Sequence, residues 1–157
     1  MPDFVLKDLK IEQILNYTIS NLTNCFQDKM SYPISVLVVE DSPLAQKVAT
    51  IHMVNQGCKV DIAADSFTAL EKAMTIRYDI ILMDIGLGDG PDGFEVTNQI
   101  KQLSDLNKTT PIMAVTAHNE EGYQNKAIAY GMVGYFNKPF TAKEAEIVIK
   151  VWKKLCA

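Results

Sequence analysis

The sequence predicts an α/β fold: a three-layer, doubly wound, five-stranded parallel sheet with an extra N-terminal helix. Three observations carry this. Short, β-branched, almost wholly apolar runs recur from residue 35 onward, as strands buried on both faces require. Between them lie helical patterns of about ten to fifteen residues with start signals. The two kinds of segment alternate strictly, which implies parallel strands, right-handed crossovers and helices on both faces.

In chain order, Ile11, Leu15, Ile19, Leu22 and Phe26 recur at steps of four and three, one face of a helix over about 8–29. The texture changes at Ser31-Tyr32-Pro33, so 1–33 reads as a helical extension with its linker and 34–157 as the main domain. SVLVV at 35–39 is the first strand, and Ser42 caps a helix whose first residue is Pro43. KVDIA at 59–63 is the second strand, followed by a helix capped by Ser66. DIILM at 79–83, IMAVT at 112–116 and the weaker VGYF at 133–136 complete the sheet. The fourth helix falls within 117–130, and Thr141-Ala142-Lys143-Glu144 reads as a capping box for the last. In that last helix Ala145, Val148, Ile149 and Trp152 face the core, while Ile147 and Val151 form a second apolar strip that a monomer would leave wet. The stripe at 11–26 is too short for sustained heptads and needs a partner surface, on its own domain or a second subunit. A homodimer through the N-terminal helix, the last helix or both is the favoured expectation.

Composition bounds the function. At 157 residues the chain has room for one domain and a short extension, not for a multidomain enzyme. Hydrophobic residues make up 48% and charged residues 22%, a globular profile. The longest apolar runs, such as Val36 to Val39 and Ile80 to Met83, fall far short of the ~20 residues that cross a bilayer. The N-terminus carries acids early and lacks a secretory pattern, so the expected location is cytoplasmic without direct membrane contact. Net charge is −4 and Arg77 is the only arginine, which argues against nucleic acid as a partner. Cys25, Cys58 and Cys156 are scattered without metal-ligand spacing and read as reduced, structural thiols.

In a doubly wound sheet the site lies at the carboxyl ends of the strands. Those positions hold Glu40 and Asp41, Asp84, Thr116, and Lys138-Pro139. Crowded carboxylates repel and call for a cation. Oxygen ligands without nearby His or Cys favour Mg²⁺, with Mn²⁺ as the alternative. A metal held this way invites a phosphate, with Lys138 and the Thr116 hydroxyl available to its other oxygens. Alone, each residue has a plainer reading as a turn, a cap, a β-former or a loop; in this order after four strands, they do not.

VLVVEDS, ILMDIGLGDGPDGFE, PIMAVTA and GYFNKPF resemble the signature segments of the receiver domain of two-component response regulators, over about residues 34–155. The resemblance implies the flavodoxin-like strand order 2-1-3-4-5. It implies that Asp84 accepts a phosphoryl group from a phosphohistidine, with Mg²⁺ held by Glu40, Asp41, Asp84 and the backbone carbonyl of Gly86. It further implies that Thr116 and Lys138 contact the phosphoryl group, that Tyr135 is the switch aromatic, and that the Lys138–Pro139 bond is cis. Gly86 and His118 stand where the family tunes phosphate lifetime, although His118 also reads simply as an exposed first-turn residue of the fourth helix. The loop IGLGDGPDGFE is one residue longer than usual before Asp92-Gly93, and Gly88 stands where proline is common.

The expected function is therefore a phosphorylation switch rather than an enzyme in the ordinary sense. It catalyses its own phosphorylation from a histidine kinase or histidine phosphotransfer protein and reads out through the fourth helix, last strand and last helix. No output domain is expected within these residues, and the motif texture is closest to receivers of hybrid sensor kinases. Two rivals are a pseudo-receiver that only binds protein and an aspartyl-phosphate hydrolase of the haloacid dehalogenase type. The latter carries a second acid two residues after its nucleophile, where this chain has Gly86.

Overall fold

A computed structural model describes residues 32–118 and 120–156. The expected helix at 8–29, and with it most of the 1–33 extension, lies outside the described residues.

The strands are β1 (Ile34–Val39), β2 (Cys58–Ala63), β3 (Ile80–Met83), β4 (Ile112–Thr116) and β5 (Gly134–Asn137). They form one parallel sheet in the order β2-β1-β3-β4-β5. The helices are α1 (Pro43–Asn55), α2 (Ser66–Thr75), α3 (Gly93–Leu103), α4 (Tyr123–Ala129) and α5 (Ala142–Cys156). Strand order reverses between β1 and β3, so the cleft of a doubly wound sheet opens above the carboxyl ends of those two strands. Each helix returns the chain to the edge where strands begin. Ile34 and the end of α5 therefore lie on the side opposite that cleft.

Alternation along the strands divides the interior into two cores, as a period of two dictates. Leu37, Val39, Ile81, Met83, Ile112, Ala114 and Tyr135 point to one face and pack with Ala69 and Ala73 of α2, Phe94, Val96 and Ile100 of α3, and Ala127 of α4. Val36, Val38, Ile80, Leu82, Met113, Val115 and Phe136 point to the other and pack with α1 and α5. At ~25 cal/mol per Å² of apolar area, each fully buried Leu, Ile or Phe contributes roughly 2 kcal/mol toward offsetting chain entropy.

Local details depart from the sequence expectations at four places. Asp65, not Ser66, caps α2, its carboxylate accepting from Thr68 N–H at 2.7 Å. An aspartate cap holds a negative charge at the positive helix end, and Ser66 becomes the first helical residue. Helix α4 begins only at Tyr123, behind Gly122 at φ 90°, so His118 sits in the preceding loop and not in a first helical turn. Helix α3 starts with a capping box made by Asp92 and Glu95, a D-x-x-E signal that the sequence reading passed over. Val151 is buried (2% exposed) and Ile147 half-buried, so α5 has no wet apolar strip. Its exposed residues beyond the first, Ala142, are instead Lys143, Glu146, Lys150, Lys153 and Lys154. At the last helix start, the Glu144 carboxylate accepts from the Thr141 N–H at 2.9 Å and from the Thr141 hydroxyl.

Candidate functional site

The carboxyl ends of β1 and β3 bring Glu40, Asp41 and Asp84 together, with one oxygen from each within 4.8 Å of the others. Glu40 and Asp84 are buried, each 5% exposed, while Asp41 is open to solvent. Main-chain bonds fix the two strand ends: Glu40 N–H donates to the Ala63 carbonyl and Asp84 N–H to the Val39 carbonyl, both at 3.0 Å. The Glu40 carboxylate is oriented by Ser42 N–H at 3.0 Å, and its main-chain carbonyl accepts from the Gln46 side chain at 2.7 Å.

Lys138, from the end of β5, completes the cluster. Its Nζ lies 2.5 Å from Glu40 Oε2 and 3.0 Å from Asp84 Oδ2. The Lys138–Pro139 bond is cis. Lys138 N–H donates to the Thr116 carbonyl at 2.9 Å, which ties the lysine to β4. Electrostatics follow the geometry. Burial pushes the Glu40 carboxyl up, and the bonds from Lys138 and Ser42 offset this only in part. Burial pulls Lys138 down, but the Glu40 and Asp84 carboxylates more than offset it and hold the ammonium above its ordinary range. One cation is thus shared between two buried anions, with a third anion at the rim. The excess negative charge and all-oxygen donor set fit a hard divalent cation such as Mg²⁺.

The remaining sequence candidates surround this cluster. Gly86 N–H donates to Asp84 Oδ1 at 3.2 Å. Thr116 is fully buried and its hydroxyl oxygen accepts from His118 N–H at 3.1 Å, so it now serves the loop after β4. Tyr135 is 1% exposed, and its hydroxyl donates to the His118 carbonyl at 2.5 Å. Gly86 and His118 also meet: a Cβ built on Gly86 would lie 2.9 Å from His118 Nε2. Replacing the glycine would therefore displace the imidazole.

Two features of the site were not singled out from the sequence. Gly93 opens α3 directly beneath the site, where a Cβ would come within 2.2 Å of the Asp84 carbonyl and 2.8 Å of Ile85 Cα. No side chain fits, so the glycine lets α3 approach the main chain of Asp84. Asp92-Gly93 was visible as a motif, but its closeness to Asp84 needs the fold. The second feature is an open apolar cavity of about 370 Å³ beside the carboxylates, lined by Leu44, Val48, Val115, Pro139 and Phe140 among others.

Comparison with known proteins places these observations in a family context. The response regulator receiver domain model matches residues 36–150. The response regulator ArlR of Staphylococcus saprophyticus is 34% identical over 109 residues, covering 69% of this chain and 47% of ArlR. Hybrid signal transduction histidine kinase G of Dictyostelium discoideum is 31% identical over 118 residues, 74% of this chain but 3% of that protein. The chain thus spans at most about half the length of these curated relatives. Among solved structures, the receiver domain of a sensor histidine kinase from Pseudomonas aeruginosa, with magnesium in its active-site cleft, is similar at a TM-score of 0.67 and 30% identity. That match covers 80% of this chain and 100% of the other.

Proposed function

Since this chain belongs to the response regulator receiver family, a family of signalling switches, we propose that residues 34–157 form a phosphoacceptor module in which Asp84 is phosphorylated by a phosphohistidine. The donor is a histidine kinase or a histidine phosphotransfer protein. The observation that carries this reading is the Lys138 ammonium shared by the buried Glu40 and Asp84 carboxylates, with Asp41 beside them.

In the transfer, an Asp84 carboxylate oxygen forms the new P–O bond as the P–N bond to the donor imidazole breaks. The imidazole leaves with the bonding electron pair and takes up a proton. Positioning and charge neutralisation carry such a reaction, because the protein makes no other covalent bond. Glu40, Asp41, Asp84 and the Gly86 carbonyl would hold Mg²⁺, or Mn²⁺ in its place. Bound there, the cation supplies neutralisation of charge developing on the phosphoryl oxygens. Lys138 exchanges its bond to Asp84 for one to a phosphoryl oxygen, and the Thr116 hydroxyl reaches another after giving up His118 N–H. That exchange links the site to the loop before α4, and Tyr135, bonded to the same loop at the His118 carbonyl, is positioned to turn with it.

The test is incubation with a small phosphodonor and Mg²⁺, followed by intact-mass measurement. One added phosphoryl group is expected in the wild type, and none in Asp84→Asn or in excess chelator. Phosphorylation that survives Asp84→Asn, or that forms equally well with chelator, overturns the assignment.

A further inference from the structure

Helix α1 is apolar on two opposite faces. Ala49 and Met53 are buried against the sheet. On the far side, Leu44 (73% exposed), Ile51 (57%) and Val54 (51%) form a row facing solvent, continued by the half-buried Val48. A helix with apolar residues on both sides is normally covered on both. Beside the top of this row opens the apolar cavity between α1 and the turn at Pro139 and Phe140 that precedes α5.

We propose that this outer face of α1 is covered by the chain's own segment 8–29, lying parallel to α1. Connectivity supplies the first argument. Ile34 pairs with Cys58, which follows the end of α1 by three residues, so the chain enters β1 at the edge where α1 ends. Only residues 30–33 separate that point from the segment, a reach of at most ~14 Å. A helix leaving this edge along α1 runs in the same direction as α1, and its stripe from Ile11 to Phe26 is ~22 Å long against ~15 Å from Leu44 to Val54. Register supplies the second. Leu15 and Leu44, Ile19 and Val48, and Leu22 and Ile51 are each 29 residues apart, and Phe26 and Val54 are 28 apart. Four apolar pairs therefore align at once. The alternative surface on the same side of the sheet, the outer face of α5, presents Lys143, Glu146, Lys150, Lys153 and Lys154 and cannot host an apolar stripe. A four-residue tether also favours the segment of the same chain over that of a second copy, because it raises the local concentration to the millimolar range.

The test uses the full-length chain with Cys25, Cys58 and Cys156 replaced by serine, alanine and serine. Leu22→Cys with Ile51→Cys is oxidised at micromolar protein, alongside a control pairing Leu22→Cys with Lys153→Cys. A cross-link at monomer mass for the first pair and none for the control is expected. A cross-link at dimer mass assigns the face to a second copy and overturns the proposal, as does cross-linking of the control instead. A second measurement leaves the cysteines in place: Ile51→Asp should speed amide exchange across 8–29 about tenfold or more while leaving 58–116 unchanged. Unchanged exchange in 8–29 overturns the proposal independently of the cross-link and of any phosphorylation result.

Discussion

At the scale of single residues, the members of the candidate cluster were legible and their supports were not. Glu40, Asp41, Asp84, Thr116 and Lys138 could be read because each ends a strand or lies within two residues of its end, and strand ends are visible as the ends of apolar runs. Asn107 could not be read, because its role depends on parts of the chain about thirty residues away. Fully buried, it donates to the Ala73 and Ile76 carbonyls at 2.6 and 2.7 Å and accepts from Tyr78 N–H at 2.9 Å. Asn107→Ala leaves the buried Tyr78 N–H without its acceptor and the Ile76 carbonyl without its donor, while the Ala73 carbonyl keeps the Ser104 hydroxyl at 2.7 Å, so chemical denaturation should report a loss on the order of 2 kcal/mol. Glu40 gives a prediction of opposite sign. Its carboxyl titrates above its unfolded value, so the folded chain gains relative stability as pH falls through the raised value, and that gain is lost as pH rises again. At neutral pH its ionised form is therefore a cost. Glu40→Gln should raise the melting temperature at pH 7.5, with the gain shrinking toward pH 4, while weakening Mg²⁺ binding in a calorimetric titration.

At the scale of elements, sequence signals located every strand to within a residue or so, most plainly β1, β3 and β4, because parallel strands buried on both faces have no polar face to blur them. Helix starts were harder. Asp65 and Ser66 are both good caps, and only the observed bond to Thr68 N–H chooses between them. Helix α4 begins late because Gly122 adopts a positive φ that no hydrophobic period reports. The start of α3 matters most to the site. Asp92 and Glu95 exchange bonds at 2.9 and 3.1 Å, and Gly93 N–H donates to the Ile85 carbonyl at 2.9 Å, one residue beyond Asp84. Gly93→Ala must push α3 off the Asp84 main chain. It should cost roughly 1–3 kcal/mol by denaturation and slow phosphoryl incorporation. Asp92→Ala removes the cap without the clash and should cost only about 1 kcal/mol.

For the whole molecule, strand order is where alternation of elements stopped being informative: parallel pairing follows from the pattern, but 2-1-3-4-5 came only with the family resemblance, and the sheet has that order. The order sets β4 and β5 side by side, with Ala114 opposite Tyr135 and Thr116 opposite Asn137, so under the proposed function a change at Thr116 would pass into the neighbouring strand and the loop that precedes α4. With a stable phosphoryl mimic, amide shifts should therefore spread through 117–136 in the wild type. In Thr116→Ala they should stay near Asp84 while mass spectrometry still finds the chain phosphorylatable; wild-type shifts confined to the neighbours of Asp84 would leave only a passive phosphate carrier. The two described ends of the domain add a different consequence. Ile34 and the end of α5 both sit at the edge away from the carboxylates, so the points at which chain enters and leaves the sheet domain are on the side opposite the cluster. The fold thus behaves as a cassette with both splice points on its back, so chain joined directly at either point does not have to pass between Glu40, Asp84 and Lys138.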